Sequence, residues 1–377
     1  MTFLFYADID AGNKSKPTYA RLKDEVIIIN KFWAYLTEYI SLQLSKTDSP
    51  YDMTIVGGDI AYNLEYNNGT TGDNFFDIWQ PLWTTRPIVF TPGNHDMYDN
   101  YNLLGYRLKM PLFNQTKNHY YSFDVGLAHF LTLDHDFYYK VADAQTQQQI
   151  YNWVENDLIA ANSKENRTIR PWVIVFTHRP IYCSVNSMED KPSGRCYNFY
   201  ETYIVWDELF QKYGVDLYLA GHVHSYERMK PIYKNQSQHY DESTDAAGVQ
   251  ILSHVSSPIY IVEGGAGNDY YMPSEPIPTL NYSIMTDINV GFSSLTIVNE
   301  TSLYWKRVKS SDGSIIDQFY LNKGQKGLPP SYTLLLSINV AVVLIFSIIA
   351  VISFRSKSTV RNITGEEVEL NKPVVAV

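Results

Sequence analysis

The chain has 377 residues, of which 45% are hydrophobic and 15% aromatic, enough to bury the core of one large domain or of two ordinary ones. Its formal net charge of -10 argues against nucleic acid as a partner, because binding to a phosphate backbone needs basic surface. Two cysteines, Cys183 and Cys196, are too few for a disulfide framework. One disulfide between them is expected in an oxidising compartment, and two free thiols elsewhere.

Apolar runs and helical spacing alternate along the chain. The pattern predicts strands at residues 3–7, 53–56, 87–91, 120–124, 129–134, 172–176 and 216–220. It predicts helices at residues 17–45, 73–83, 101–109, 144–161 and 200–213. After residue 258 it predicts only strands, at residues 259–263, 292–298, 302–309 and 315–321. This order favours an α/β (α+β) fold, a mixed sheet system with helices on its outside.

Polar residues that can bind metals directly follow five of the apolar runs. In folds of this kind the binding and catalytic residues lie at the carboxyl ends of the strands, so these five groups of residues are expected to lie close together. They offer carboxylates, an amide, a phenol and imidazoles, which are the ligands that two hard to borderline metal ions need. The five strings are Phe5-Tyr6-Ala7-Asp8, Gly57-Gly58-Asp59-Ile60-Ala61-Tyr62, Gly93-Asn94-His95-Asp96, Thr177-His178-Arg179-Pro180 and Gly221-His222-Val223-His224.

Two of these strings have a spacing that favours a metal site. Asp59 and Tyr62 lie three positions apart, so a helical turn would point both side chains the same way. Among 31 tyrosines, however, Tyr62 taken alone is more typical of a core residue. His222 and His224 are two positions apart, and in extended backbone their side chains would point to the same side.

The other candidate residues indicate a metal site only when they are considered together. Taken singly, Asp8 is typical of a cap at a strand end, Asn94 of an ordinary turn and His178 of a structural histidine. His95 directly follows Asn94 and cannot easily share its metal. It is therefore a candidate for contact with a phosphoryl group.

On these residues, the chain resembles the purple acid phosphatases, a family within the calcineurin-like metallophosphoesterases. The resemblance runs from about residue 3 to residue 321 and implies a four-layer αββα sandwich of two mixed β-sheets flanked by helices. Residues 58–62 resemble the family's GDxxY string and residues 93–95 its GNH string. Residues 178–184 are similar to HRPMYCS, and residues 221–228 read GHVHSYER, close to the fifth motif; residues 106–111 and 121–124 are also similar.

Carried over position by position, the resemblance implies a site with two metal ions. The ligands of ferric iron would be Asp8, Asp59, Tyr62 and His224, and those of a divalent zinc, manganese or iron ion would be Asp59, Asn94, His178 and His222. Asp59 would bridge the ions, and Tyr62 distinguishes this family from its phosphoesterase relatives. The implied enzyme is an acid phosphatase that hydrolyses phosphate monoesters of small molecules or proteins by metal-activated hydroxide.

The chain departs from the family pattern in three places. Asp10 replaces a glycine in the first motif, close to the expected ferric site. Ser187 and Met188 stand where some plant members have a pair of histidines, so His95 becomes the better candidate for the catalytic acid. The amino-terminal β-sandwich of long family members is absent, which suggests that the start of the chain is missing.

Residues 328–354 contain no Asp, Glu, Lys, Arg or His, and residues 333–354 are long enough to cross a bilayer as a helix. Basic residues follow this segment, so the positive-inside rule places residues 355–377 in the cytoplasm. The expected organisation is a catalytic domain at residues 1–322, a stalk at 323–332, a transmembrane helix at 333–354 and a cytoplasmic tail.

This topology places the catalytic domain at the cell surface or in a lysosome-like lumen. Seven Asn-X-Ser/Thr sequons before the span suit a glycoprotein on that side. No signal peptide precedes the first strand, so a complete chain would instead be tail-anchored with a cytosolic domain. The sequons are at Asn13, Asn68, Asn114, Asn166, Asn235, Asn281 and Asn299.

Two other functions stay open. A different metallophosphoesterase, such as a phosphodiesterase or a protein phosphatase, would differ in the shape of its pocket, although Tyr62 argues against it. A membrane-tethered binding domain without catalysis would be expected to have lost metal ligands, whereas all seven family positions are filled.

Overall fold

The computed structural model describes residues 1–9, 51–60, 62–64, 66–96, 119–184, 199–267 and 280–323, and the backbone of residues 359–361 and 367–369. It divides into a first unit, Met1–Lys323, and a second unit, Gly324–Val377. The described helices of the first unit are α1 (Thr70–Trp83), α2 (His135–Lys140), α3 (Ala144–Ala161), α4 (Lys164–Ile169) and α5 (Phe199–Lys212). Its described strands are β1 (Thr2–Tyr6), β2 (Met53–Val56), β3 (Ile88–Phe90), β4 (Tyr120–Val125), β5 (Ala128–Leu133), β6 (Trp172–Thr177), β7 (Leu217–Ala220), β8 (Tyr226–Tyr233), β9 (Gln236–Ser237), β10 (Asp241–Thr244), β11 (Gln250–Ser253), β12 (Ile259–Glu263), β13 (Ser283–Asp287), β14 (Gly291–Ile297), β15 (Ser302–Lys309) and β16 (Ile315–Asn322).

The strands of the first unit form two mixed sheets. The first has the order β10-β11-β16-β15-β14-β1-β2-β3, in which β1, β2 and β3 are parallel neighbours and β14 pairs antiparallel with β1. The second has the order β13-β8-β12-β7-β6-β5-β4, with β9 beside β8. Its four central strands β12, β7, β6 and β5 are parallel, and β4, β8 and β13 are antiparallel to their neighbours.

The inner strands of each sheet are buried on both faces. Along β1, Phe3 and Phe5 pack between the two sheets, whereas Leu4 and Tyr6 pack against aromatic residues of α1. On the second sheet, Ile174 of β6 faces the first sheet, and Val173 faces a cluster formed with α3 and α5. The order of layers is therefore helix, sheet, sheet, helix, so the expected αββα architecture is confirmed.

The sequence pattern predicts many of the elements but misses others, among them β8, β10, β11 and β13. The four strands predicted after residue 258 and the helix at residues 144–161 are confirmed as β12, β14, β15, β16 and α3. Strand β8 escapes prediction because it is buried on both faces and so shows no clear alternation. Helices α2 and α4 have six residues each, too few for a 3.6-residue period, and directly follow the capping residues Asp134 and Ser163.

Several predicted features lie outside the described residues. These are the helices at residues 17–45 and 101–109, the apolar segment 333–354, Asp10, Ser187, Met188 and Cys196. Among the residues that are described, no helix combines the length and the apolar composition needed to cross a bilayer. In the second unit, β17 (Thr359–Arg361) pairs antiparallel with β18 (Glu367–Glu369). Cys183 is buried and is not a free thiol, and its pairing with Cys196 stays a prediction.

A histidine joins strand β5 to its neighbours at the amino end of that strand. His129 Nδ1 lies 2.8 Å from Asp124 Oδ1 on β4, and Nε2 lies 2.8 Å from Asp157 Oδ2 on α3. Both ring nitrogens therefore donate to carboxylates, which requires the charged imidazolium. Burial lowers the pKa of His129, but the hydrogen bonds and negative charge of Asp157 and Asp124 outweigh burial and raise the pKa above its ordinary value of 6.5.

Replacing His129 by glutamine is expected to destabilise the protein in acid more than in alkali. Folding raises the pKa of His129, so its contribution to the stability of the folded state is complete below about pH 6.5. That contribution is lost as the pH rises through the pKa of the folded state. We expect a loss of about 1–2 kcal/mol of unfolding free energy at pH 5, shrinking at alkaline pH. Urea unfolding at several pH values measures this, with the exposed His239→Gln as a control; a loss that does not vary with pH would contradict the prediction.

Candidate metal centre

Every predicted ligand string follows the carboxyl end of a strand. Asp8 lies two residues after β1, Asp59 three residues after β2 and Asn94 four residues after β3. On the second sheet, His178 directly follows β6 and His222 lies two residues after β7. The parallel strands of both sheets thus bring these five loops to one place, as predicted from the positions of the apolar runs.

The four residues expected to hold ferric iron form one buried group. The hydroxyl of Tyr62 lies 3.0 Å from Asp8 Oδ1, 2.7 Å from Asp59 Oδ2 and 3.1 Å from His224 Nε2. His224 Nε2 lies 3.2 Å from Asp8 Oδ1. The candidate ligand atoms of Asp8, Asp59 and His224 all lie within 4.8 Å of one another. The arrangement places the phenol oxygen among two carboxylates and an imidazole.

The residues expected to hold the divalent ion form a second group around the other oxygen of Asp59. His178 Nε2 lies 3.3 Å from Asp59 Oδ1 and 3.1 Å from Asn94 Oδ1. The rings of His178 and His222 have their centres 5.1 Å apart, and the candidate ligand atoms of Asp59, His178 and His222 lie within 4.8 Å of one another. Asp59 thus belongs to both groups, with one oxygen directed to each.

The backbone reaches this arrangement in a way that the sequence argument did not foresee. His222 has a φ of +70°, so His222 and His224 are not in extended backbone, and each belongs to a different group. Asp8 and Asp59 also have positive φ, +58° and +43°, which is uncommon for residues with a side chain. Asp59 itself is therefore not in right-handed helical backbone, although its side chain and that of Tyr62 do meet. Strain of this kind concentrates at functional sites.

Hydrogen bonds fix the orientation of two predicted ligands. His178 Nδ1 lies 3.1 Å from the carbonyl oxygen of Gly57 and donates to it, which holds the ring with Nε2 facing Asp59 and Asn94. The backbone N–H of His222 donates to Asp8 Oδ2 at 2.7 Å. Histidine ligands of metals are commonly held by such a bond from the second ring nitrogen.

The charges of the site are those of a centre that needs a cation. Burial raises the pKa of Asp59, but the positive charge of His178 and of His95 outweighs burial and holds it well below its usual range. Burial lowers the pKa of His178, whereas the Asp59 carboxylate raises it to about 9. Burial and the charges of Asp59 and Asp8 raise the pKa of the Tyr62 phenol. The donor set of carboxylates, phenol, amide and imidazoles fits two metal ions.

His95 lies beside the two groups. Its backbone N–H donates to Asp59 Oδ1 at 2.8 Å, and its ring packs on the Tyr62 ring with the centres 4.3 Å apart. The residue is half-buried, and burial lowers the pKa of its imidazole. This position, next to the ligands and partly open, suits a group that contacts substrate.

Three features near the site were missed by sequence reasoning. The Asp96 carboxylate accepts backbone N–H groups from Ile60 and Gly93, at 3.1 and 2.8 Å, and so ties two ligand loops together. Burial, followed by the charge of Asp59, raises the pKa of Asp96. Arg179 contacts His222, and Gly264 leaves room for Asp8. Asp96 and Arg179 could have been recognised, because each stands within a ligand string, whereas Gly264 lies outside them all.

The chain matches two family models. Residues 1–226 match the model described as calcineurin-like phosphoesterase. Residues 257–318 match the model described as iron/zinc purple acid phosphatase-like protein C. The first match contains all seven predicted ligand positions.

Named relatives agree with these models. Acid phosphatase type 7 of Danio rerio is 30% identical over 337 residues, which are 84% of this chain and 68% of that protein. The chain spans 61% of the length of the human protein of the same name. A relative named probable inactive purple acid phosphatase 1, from Arabidopsis thaliana, is 27% identical over 314 residues, 78% of this chain and 46% of that protein.

The fold is similar to that of a solved structure. The purple acid phosphatase from yellow lupin (Lupinus luteus) seeds superposes with a TM-score of 0.60 at 22% identity, over 86% of this chain and 54% of that chain. At this identity the likeness shows the fold alone. The two family models and the Danio rerio relative show that the chain belongs to the calcineurin-like phosphoesterases, in their purple acid phosphatase family.

Proposed function

We propose that the chain hydrolyses phosphate monoesters in acid solution at a binuclear centre of ferric iron and a divalent ion. One observation carries the proposal: the Tyr62 hydroxyl lies within 2.7 to 3.1 Å of Asp8, Asp59 and His224. A buried phenol among two carboxylates and an imidazole is a hard, anionic donor set that suits a trivalent ion. The names of the acid phosphatase relatives point to the same reaction.

Each of the two ligand groups would hold a different ion. Asp8, Tyr62 and His224 would hold the ferric ion, and His178, His222 and Asn94 would hold the divalent ion, with Asp59 between them. When bound, the two ions would acidify a water molecule for attack and polarise a phosphoryl oxygen.

The residues around the ligands orient the substrate and complete the reaction. Asp96 fixes the loops that carry Asp59 and Asn94. From its partly open position on the Tyr62 ring, the His95 imidazole would donate a hydrogen bond to the ester oxygen and then a proton as that oxygen departs. The substrate is then a phosphorylated small molecule or protein.

Replacing Tyr62 by phenylalanine is expected to abolish the visible absorption of the purified, iron-loaded protein. The band would arise from charge transfer between the phenolate and ferric iron, so removing the hydroxyl removes the band even where iron stays bound. Visible spectroscopy together with elemental analysis measures this, and Tyr66→Phe, at an exposed tyrosine, is the matched control. A variant that keeps the full band would exclude Tyr62 as a ligand.

The turnover of simple monoesters and diesters tests the reaction class. We expect a monoester such as p-nitrophenyl phosphate to be hydrolysed with an acid optimum and the matching diester to be turned over far more slowly. Faster turnover of the diester would instead make the chain a phosphodiesterase.

A second candidate function is a binding domain without catalysis, which the name of the plant relative favours. It predicts a purified protein that contains no metal and hydrolyses no phosphate ester. The close approach of the ligand atoms in both groups opposes this alternative, because buried carboxylates without a counter-ion are costly.

We propose further that residues 333–354 anchor the chain in a membrane, with the catalytic unit on the lumenal or outer side. The support is the sequence alone, an uncharged apolar run followed by basic residues. Treatment of the expressed chain with a glycosidase tests the side, because the sequons carry glycans only if the unit enters the secretory pathway. Unchanged mobility on a gel would place the unit in the cytosol.

A further inference from the structure

Arg179 directly follows His178 and joins two side chains. Its Nε and Nη2 donate to Asp136 Oδ2 and Oδ1 at 2.9 and 2.8 Å, a bidentate pair. Its Nη1 lies 2.6 Å from His222 Nε2. The Asp136 side chain is 1% exposed and also pairs with Lys140, so the carboxylate is a fixed anchor. The guanidinium is thus held rigidly against a residue proposed to bind the divalent ion.

The chemistry of the contact conflicts with metal binding by His222. A guanidinium can only donate hydrogen bonds, so His222 Nε2 must accept through its lone pair. If His222 bound a metal through Nε2, the metal would need that same lone pair. If the neutral ring bound a metal through Nδ1, its proton would lie on Nε2 and would face an N–H of Arg179. In both cases the contact with Arg179 and metal binding exclude each other.

We propose that Arg179 competes with the divalent ion for His222 and thereby lowers the affinity of this one metal position. The inference rests on the proposed function, because it takes His222 as a ligand of the divalent ion. In the other group, His224 Nε2 faces the Tyr62 hydroxyl and the Asp8 carboxylate, both of which favour a cation. Arg179 therefore acts on the position of His222 and not on that of His224.

A purely positioning role for Arg179 makes the opposite prediction. Groups that orient a metal ligand raise the affinity for the metal, so their removal weakens binding by about 10 to 100-fold. Removal of a competitor strengthens binding instead. The sign of the change in affinity therefore separates the two roles, whatever the effect on turnover.

The test is a titration of the full chain after a chelator has removed the divalent ion. We expect Arg179→Ala to bind Zn²⁺ or Mn²⁺ about tenfold more tightly than the wild type, because binding no longer breaks a charged hydrogen bond. Iron content should stay unchanged. Since Arg179→Ala leaves a buried carboxylate without its bidentate partner, the double variant Arg179→Ala, Asp136→Asn removes both charges and should show the same gain.

The outcomes are distinguishable. His222→Ala should lose the divalent ion, which shows that the titration reports on this position. If the wild type binds the ion and both Arg179 variants bind it equally or less tightly, the competition is refuted while the proposed function stands. If the wild type binds no divalent ion, both fail.

Discussion

Replacing Asp59 by asparagine is expected to remove both metal ions and to lower kcat/KM for a phosphate monoester by about a thousandfold or more. Asp59 is the one residue common to both ligand groups, with Oδ2 at 2.7 Å from the Tyr62 hydroxyl and Oδ1 at 3.3 Å from His178 Nε2. Asparagine offers one oxygen and no charge, so it cannot serve both groups. Elemental analysis and steady-state kinetics on the purified variant measure the two effects.

A thermal measurement separates loss of metal from loss of fold. Ligands that bind only the folded state raise its stability, so a chelator should lower the Tm of the wild type and leave that of Asp59→Asn unchanged. Asp77→Asn removes a carboxylate from the exposed side of α1 and should keep metal content, activity and Tm. Normal occupancy of both ions in Asp59→Asn would contradict the bridging role that we propose for Asp59.

The identity of the site residues was predictable because the ligands follow strand ends. Buried parallel strands appear in the sequence as apolar runs, and a polar residue after such a run lies at the edge where the loops meet. Asp59 and His178 were found in this way, and the structure brings them within 3.3 Å. The left-handed backbone at His222 was not predictable, because a positive φ in a residue with a side chain is imposed by tertiary contacts.

The side chains that contact the candidate ligands could not be predicted from the sequence, for a different reason. Arg179 and Asp136 are 43 positions apart, on different elements, and no periodicity relates them. The same holds for the two carboxylates on His129, from β4 and α3. The fold class followed from alternating strands and helices, whereas β8, buried on both faces, gave no alternation to detect.

Replacing Gly264 by alanine is expected to destabilise the protein by roughly 1–3 kcal/mol or more and to empty both metal positions. A Cβ at this position would lie 2.2 Å from the carbonyl oxygen of Val223 and 2.7 Å from Asp8 Oδ2. Val223 stands between His222 and His224, so a shift of its backbone moves one predicted ligand of each group. Thermal unfolding and elemental analysis of the purified variant measure both effects.

The collision cannot be relieved cheaply, because both partners are held from other sides. Gly264 follows β12, which is paired with β7 on one side and β8 on the other, and Asp8 Oδ2 already accepts the N–H of His222. Gly248→Ala is the matched control: its φ of +82° strains an alanine, but nothing lies within 4 Å of the added Cβ. That variant should lose about 1 kcal/mol of stability and keep its metals. If Gly264→Ala also kept both ions, the close packing of Gly264 against Val223 and Asp8 would matter for folding alone and not for metal binding.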